Sequence, residues 1–173
     1  SRVGLLGEIL EFAYGKALKE ENRVAGIYPV IGSNGIVGYH NEYFVEGSGI
    51  VTGRKGTLGE IIWINENFTP IDTTFYIKDK QNCTNLFFYY FLLKAQDFNR
   101  IASDSAVPGL NRNLAHANEI CIPPIKIIED FNKLCFPIFK KMCHNNEATH
   151  TFTKIRATLL PKLMSGQIRV KSV

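Results

Sequence analysis

The sequence has no run of about 18 apolar residues and no closely spaced pair of cysteines. The first absence argues against a transmembrane helix, so we expect no membrane contact. The second makes a disulfide framework a poor fit. The start at Ser1 is too soon acidic for a secretory signal and has no initiator Met, which suggests a trimmed or excised segment. We therefore expect a cytoplasmic protein with reduced, buried thiols at Cys83, Cys121, Cys135 and Cys143.

Motifs that would indicate an enzyme are also missing. There is no GxxxxGK[ST] phosphate loop, no HExxH and no GxSxG. Gly32, Gly35 and Gly38 have the spacing of a dinucleotide-binding loop, but they fall on an expected hairpin rather than at a strand-to-helix turn. The histidines and cysteines do not have zinc-ligand spacing. We predict no catalytic residue, no metal site and no cofactor.

A strong excess of positive charge is absent from the larger part of the chain. Residues 1–123 contain 11 Lys or Arg and 13 Asp or Glu, whereas residues 124–173 contain 9 and 3. Neutralising DNA phosphates requires positioned Lys and Arg side chains. Any contact with DNA in the first part must therefore come from a local patch.

Short runs of β-branched and aromatic residues dominate residues 1–123. Strands are expected at 28–31, 50–52, 60–64, 74–77 and 119–122, with a hairpin turn at Asn34-Gly35. Helical spacing runs from Asn85 to Asp97, with Thr84 or Asn85 as the N-cap. A loop follows at residues 103–112. These elements predict an α/β (α+β) domain of short strands and long loops.

The composition changes after Pro123 and Pro124. A short helix is expected at residues 127–135, and Pro137 is well placed in the first turn of a second, long helix that Ser165 and Gly166 end. This helix carries one stripe, which predicts an antiparallel coiled coil with another long helix and thus a homodimer. A helix folded back onto its own domain remains the alternative. The stripe consists of Ile138, Met142, Asn145, Thr149, Phe152, Ile155, Leu159 and Leu163.

Four polar clusters on expected loops carry the residue types that contact DNA. They lie at residues 14–19 with Arg23, 32–40, 52–57 and 111–113. Arg, Lys, Asn and Ser side chains read base edges and hold phosphates, and glycines allow close approach of the backbone. The alternative is that these segments are solvated turns.

At the same segments the chain resembles the specificity subunit of type I restriction-modification enzymes. The matching pieces read YPVIGSNG at 28–35, IVTGRKGTLG at 50–59, VPGLNR at 107–112, IPP at 122–124 and LLPKLMSGQI at 159–168. The resemblance implies a DNA target-recognition domain at residues 1–123 and a helical spacer and dimerisation region at 124–173. It also implies that the domain reads one half of a split site and that the helices dock adenine-N6 methyltransferase subunits, with a separate restriction and translocase subunit and no catalysis in this chain.

The candidates for DNA contact come from the four clusters. Arg54 and Lys55 belong to the recurring pattern of the family, so we assign them to phosphate positioning or loop structure. The complete set is Lys16, Lys19, Arg23, Ser33, Asn34, Tyr39, His40, Arg54, Lys55, Thr57, Asn111 and Arg112.

The chain departs from the family in having one recognition domain where two are usual. It is therefore either a half-length subunit or part of a longer one, and the exposed stripe predicts self-association. Two other functions remain open at this point. The domain could be the recognition appendage of a fused methyltransferase or nuclease, or the chain could be an assembly protein that reads no DNA.

Overall fold

A computed structural model describes residues 1–98, 100 and 109–169 and divides the chain into two compact units, Ser1–Asn132 and Lys133–Val173. The strands are β1 Arg2–Leu5, β2 Leu10–Tyr14, β3 Tyr28–Gly32, β4 Gly35–His40, β5 Gly49–Gly53, β6 Ile61–Ile64, β7 Thr69–Pro70, β8 Thr74–Asp79 and β9 Glu119–Ile122. The helices are α1 Leu6–Ile9, α2 Phe87–Lys94, α3 Arg112–His116 and α4 Ile125–Met164, with a 3₁₀ turn at Glu20–Asn22.

The strands form three small sheets in the first unit. The largest has the order β2-β8-β5-β6, the second has the order β4-β3-β7, and β1 pairs with β9. All pairings are antiparallel except that of β3 with β7. Long-range pairings such as β1 with β9 hold the two ends of the domain together.

The four-stranded sheet is buried on both faces, and this explains why its strands are continuous apolar runs. On β5, Ile50 packs into the main core beside Phe12 and Phe75, whereas Val51 points to a second cluster with Ile31. Successive side chains of a strand point to opposite faces, so a sheet with two covered faces needs apolar residues at consecutive positions. The sheet therefore forms the rigid centre from which the loops project.

The expected strands and the mixed fold class are confirmed, with small shifts at the ends. Helix α2 is shorter than expected, since it begins at Phe87 and ends at Lys94. Neither Thr84 nor Asn85 is its N-cap residue, which is Leu86, although Asn85 Oδ1 accepts a hydrogen bond from the Phe87 N–H at 3.0 Å. The part of the expected loop at residues 103–108 lies outside the described residues.

The hairpin between β3 and β4 is confirmed, but its turn lies one residue earlier than expected. Ser33 and Asn34 are the turn residues, and Gly32 pairs with Gly35. Gly35 has φ +107°, while Asn34 is not among the residues of positive φ. The glycine therefore takes up the unusual backbone conformation at the end of the turn, and Asn34 does not need to.

The prediction of two helices separated near Pro137 is wrong. Helix α4 is continuous over 40 residues and contains both Pro137 and Pro161. A proline inside a helix removes one hydrogen bond, but both prolines are exposed, so water can reach the carbonyl groups left free. At 1.5 Å per residue the helix spans about 60 Å, and it ends as expected before Gly166, which has φ +73°.

The four cysteines are all free, but the expectation of buried thiols is wrong. Cys121 is exposed, and the other three are only partly buried. Cys121 points outward because β9 alternates exposed and buried residues, and Cys135 and Cys143 lie on the long helix. No helix in the described part of the chain is long and apolar enough to span a membrane.

The first turns of α4 are fastened to the loop before α2 by two polar side chains. Glu129 accepts hydrogen bonds from the backbone N–H of Thr84 at 2.7 Å and from its hydroxyl. Asn132, 1% exposed, accepts from the Phe88 N–H at 2.8 Å and donates to the Asn85 carbonyl at 3.0 Å. These bonds satisfy backbone groups that α2 leaves open at its start, so they fix the beginning of the long helix to the domain.

We predict that Asn132→Ala lowers the free energy of unfolding of the domain by about 2–4 kcal/mol. The substitution leaves one donor and one acceptor without a partner in a partly buried place, and each such group costs about 1–3 kcal/mol. Urea unfolding can be followed by the fluorescence of Trp63, whose ring lies 5.9 Å from that of Phe87 in α2. Asn146→Ala, on an exposed part of the helix, is the control and should change stability by less than about 1 kcal/mol. Equal losses in the two variants would contradict the anchoring role.

Candidate nucleic-acid interface

The loop after β5 folds back tightly at Gly53. A Cβ atom at this position would collide with the carbonyl oxygen of Thr57, so the loop requires glycine here. The backbone N–H groups of Arg54 and Lys55 then donate to the carbonyl of Thr73, at 2.9 and 3.1 Å. The backbone at Arg54 is therefore held from one side by the turn before β8.

The segment before α3 holds the same loop from the other side. The Leu110 N–H donates to the Arg54 carbonyl at 2.9 Å, and Leu110 is buried. Asn111 is the N-cap of α3, because its side-chain oxygen accepts from the N–H groups of Asn113 at 2.9 Å and Leu114 at 3.3 Å. Arg112, the first residue of α3, is thereby placed next to the β5 loop.

Two guanidinium groups lie near the exposed ring of Tyr14, the last residue of β2. The central carbon of Arg54 lies 5.2 Å from the ring centroid, and that of Arg112 lies 5.0 Å from it. The ring of Phe75, 5.0 Å from that of Tyr14, supports the group from beneath. Positive charges near an aromatic face are stabilised by about 0.5–1 kcal/mol each when exposed. We call Tyr14, Arg54 and Arg112 the arginine cluster.

The tip of the β3–β4 hairpin lies beside this loop. A Cβ atom built on Gly53 would lie 3.2 Å from Ser33 Cβ, and one on Gly56 would lie 3.2 Å from Ser33 Oγ. Lys55 and Thr57, in the same loop, are exposed. Three loops from distant parts of the sequence thus converge, and the tip of the second polar cluster comes together with the third and fourth clusters.

A second group of candidates lies along β4 and the segment after β2, and we call Lys16, Arg23, Tyr39 and His40 the hairpin patch. Lys16 Nζ lies 4.5 Å above the ring of Phe44, and half of the Tyr39 side chain is exposed. His40 Nδ1 accepts from the Val24 N–H at 3.1 Å. A shallow depression beside Lys16 and His40 faces the solvent.

The guanidinium of Arg23 is used largely within the protein. It donates to the carbonyls of Val37 at 2.8 Å and Leu18 at 3.4 Å. Gly38 makes room for it, since a Cβ atom there would lie 2.9 Å from Arg23 Nη1. Arg23 therefore braces the hairpin. Of the remaining candidates, Asn34 lies at the hairpin turn and Lys19 forms an exposed ion pair with Glu21 at 3.6 Å.

His116, at the end of α3, joins the cluster's helix to the core. Its Nε2 accepts a hydrogen bond from the Phe12 N–H at 3.1 Å, so the ring is neutral with its proton on Nδ1. Burial lowers the pKa of His116, and the positive charges of Lys80 and Arg112 lower it further. Glu11 opposes this shift.

Sequence reasoning missed the two residues that organise the site, Tyr14 and His116. Tyr14 begins the first polar cluster, but we selected Lys16 and Lys19 as its DNA-contact candidates because these residues carry charge. Nothing in the sequence connects Tyr14 with Arg54 and Arg112, which are brought to it by strand pairing and by the Leu110 hydrogen bond.

The fold is a small mixed α/β domain with convergent polar loops, followed in the sequence by a long helix. The family model for the type I restriction modification DNA specificity domain matches residues 2–155. The chain therefore belongs to that family, whose members are specificity subunits without catalytic activity of their own. The predicted resemblance is confirmed, and the comparisons do not favour the fused enzyme.

Individual relatives agree with this assignment. The specificity subunit of the Escherichia coli type I restriction enzyme EcoprrI is 28% identical over 127 residues, which cover 70% of this chain and 31% of that protein. That of the Methanocaldococcus jannaschii enzyme MjaIX is 41% identical over 54 residues, 31% of this chain and 12% of that protein. The crystal structure of the type I restriction-modification system S subunit from M. genitalium superposes with a TM-score of 0.79 and 25% identity, covering 99% of this chain and 46% of that one. The chain spans less than half the length of these relatives.

We predict that the domain loses stability as the pH falls below about 6.5, the usual pKa of histidine. The folded state holds the pKa of His116 below its unfolded value, so the unfolded state takes up the proton first. The stabilising contribution is therefore complete above pH 6.5 and declines as the pH falls towards the folded pKa. His116→Gln, which can still accept from Phe12, should flatten the decline in urea unfolding curves between pH 7.5 and 5.5. His150→Gln, on an exposed part of α4, should leave it unchanged, and equal behaviour of the two variants would contradict this role.

Proposed function

We propose that this chain supplies DNA sequence recognition in a type I restriction-modification system in the cytoplasm. The domain contacts double-stranded DNA and reads one half of a split target. Helix α4 docks adenine-N6 methyltransferase subunits and, through them, the restriction and translocase subunit. The observation that carries the proposal is the family match over residues 2–155, which includes both the convergent loops and much of the helix. The domain boundary expected after residue 123 stays a prediction, since the first turns of α4 pack within the first unit.

The two groups of candidate residues suggest two different roles on DNA, one in reading bases and one in contacting the backbone. A two-stranded β-ribbon fits the major groove, and the β3–β4 hairpin presents Ser33 and Asn34 at its tip and Tyr39 along its edge. These side chains are our candidates for reading bases. Arg54 and Arg112 are held beside the hairpin tip and are our candidates for contacting the backbone.

Fluorescence anisotropy with labelled 30-base-pair duplexes of mixed sequence tests DNA binding. The full chain is titrated alone and together with the methyltransferase subunit, because residues 1–123 carry slightly more acidic than basic groups. We expect binding that weakens steeply between 50 and 200 mM salt, as phosphate contacts require. No binding in either arrangement would contradict the proposal.

Self-association through α4 follows from the exposed stripe of the second unit. Ile138, Met142 and Phe152 are 57–68% exposed, and Ile155, Leu159 and Leu163 are exposed as well. Contiguous exposed apolar patches of this kind mark sites of protein interaction. We propose that a second copy does so in antiparallel orientation.

The spacing of the stripe indicates the register of this pairing. Ile138 lies opposite the partner's Leu163, and Met142 opposite the partner's Leu159, so that large apolar residues meet at both ends. Asn145 and Thr149 fall near the middle, where polar residues fix register at some cost in stability. The Thr149 hydroxyl donates to the Asn145 carbonyl at 2.8 Å, so its donor is used within the helix while its oxygen can still accept a hydrogen bond.

The same register has an electrostatic cost. Residues 133–164 contain six Lys or Arg and a single Glu, so two copies repel each other. Lys141 lies beside the stripe, opposite the partner's Lys162, and this contact occurs twice in the dimer. Like charges at such flanking positions weaken a coiled coil, and opposite charges select the partner.

We therefore predict that Lys141→Glu tightens the homodimer about tenfold. The variant turns two repulsive contacts into attractive ones, each worth a fraction of a kcal/mol to about 1 kcal/mol. Lys154→Glu makes the same change of charge on the side of the helix away from the stripe and should change the dissociation constant by less than about threefold. Sedimentation equilibrium over a concentration series measures both. A wild-type chain that stays monomeric to high micromolar concentration, or equal effects of the two variants, would contradict this mode of pairing.

A further inference from the structure

The two guanidinium groups of the arginine cluster have no acidic partner in the described part of the chain. The ion pairs found there join Arg2 to Glu8 and Lys19 to Glu21, neither of which involves Arg54 or Arg112. Two positive charges near one ring repel each other, and an anion bound beside them would offset that repulsion. The cluster therefore has the charge of an anion site.

An unused hydrogen-bond donor points to the same conclusion. The Nε atom of Arg112 is shielded from water and has no hydrogen-bond acceptor among the described residues. Buried polar groups are nearly always paired, so this donor is free to take an acceptor supplied by a bound partner. A guanidinium also carries a planar fork of N–H donors whose geometry matches phosphate oxygens.

The backbone around the cluster allows little adjustment. Arg54 is held on both sides, by its N–H bond to Thr73 and by the bond of its carbonyl to Leu110. Arg112 stands at the capped start of α3, whose far end is fixed through His116 to Phe12. Fixed donors suit the phosphodiester backbone, whose geometry is the same for every sequence, better than a base edge that differs between sites.

We propose that Arg54 and Arg112 bind one and the same DNA phosphate, and that Tyr14 is the positioning residue that holds the two side chains together. The inference rests on the proposed function, since it requires that the domain binds DNA. It goes beyond that function by joining three residues from β2, the β5 loop and α3 into a single site. It also gives a role to Tyr14, a residue that is 49% exposed.

The salt dependence of the DNA-binding constant measures the number of phosphates that the site neutralises. Each phosphate contributes about 0.9 to the slope of the logarithm of the binding constant against the logarithm of salt concentration. If both arginines hold one phosphate, the double variant Arg54→Ala/Arg112→Ala should lose about 0.9 of slope in total. Affinity at 100 mM salt should fall about 10- to 100-fold, equally on all sequences, and the effects of the single variants should not add.

Matched controls separate this result from a general loss of charge or of folding. Lys94→Ala also removes a positive charge near a tyrosine, since Lys94 Nζ lies 5.1 Å from the ring of Tyr90, and it should leave the slope unchanged. Unfolding curves read from Trp63 fluorescence verify that each variant is folded. A loss of about 1.8 in the double variant would show two separate phosphates and overturn the single site. An unchanged slope would overturn the anion site altogether.

Substitutions at Tyr14 test its positioning role. Tyr14→Phe keeps the ring and should keep both slope and affinity close to the wild type. Tyr14→Leu keeps an apolar residue without an aromatic face, and it should weaken binding and make the effects of Arg54→Ala and Arg112→Ala independent of each other. Equal behaviour of the two Tyr14 variants would contradict the role of the ring. If the wild-type chain binds no DNA, alone or with the methyltransferase subunit, the proposed function fails with the inference, whereas DNA binding with unchanged slopes removes the inference alone.

Discussion

The close approach of the Thr57 carbonyl to Gly53 is the constraint on which the arrangement of the candidate site depends. Because Gly53 has no side chain, the chain can leave the buried strand β5 and fold back at once. The Arg54 backbone then reaches both the Thr73 carbonyl and the Leu110 N–H. Those bonds bring the turn before β8 and the start of α3 to the same place. A residue with a Cβ would push the loop outward and separate Arg54 from Tyr14.

The parts of the fold that were predictable are those in which local pattern and tertiary packing agree. The strands β3, β5, β8 and β9 have β-branched and aromatic residues with turns on either side, and the helical stripe ends at Ser165 and Gly166 as expected. The turn at Ser33-Asn34 and the continuous helix through Pro137 were not predicted. In the first case Gly32 pairs with Gly35, so the glycine lies at the end of the turn and not within it. In the second, exposure of Pro137 allows water to compensate for the lost hydrogen bond.

For the candidate site, the sequence predicts which residues take part but not how they are grouped. The charged loop residues could be selected from the sequence because their chemistry is visible there. Their grouping could not, since Tyr14 and Arg112 are nearly a hundred positions apart and meet only through the pairing of β2 with β8 and the capping of α3 by Asn111. Arg23 shows the opposite case, in which a residue of the right type is used mainly to brace the hairpin. A contact between two residues that depends on a third structural element cannot be predicted from a short stretch of sequence.

The central claim is that this chain chooses the DNA sequence on which a type I system acts. The most direct measurement is single-molecule sequencing of adenine methylation in cells that have no such methylation of their own, supplied with this chain and the methyltransferase subunit. We expect a new split motif with two identical half-sites in inverted orientation, because the twofold-symmetric dimer that we propose would read the same half-site twice. The methylated motif should be absent from cells that receive the methyltransferase subunit without this chain. A complex that assembles, as shown by copurification, but methylates no defined motif would contradict the claim.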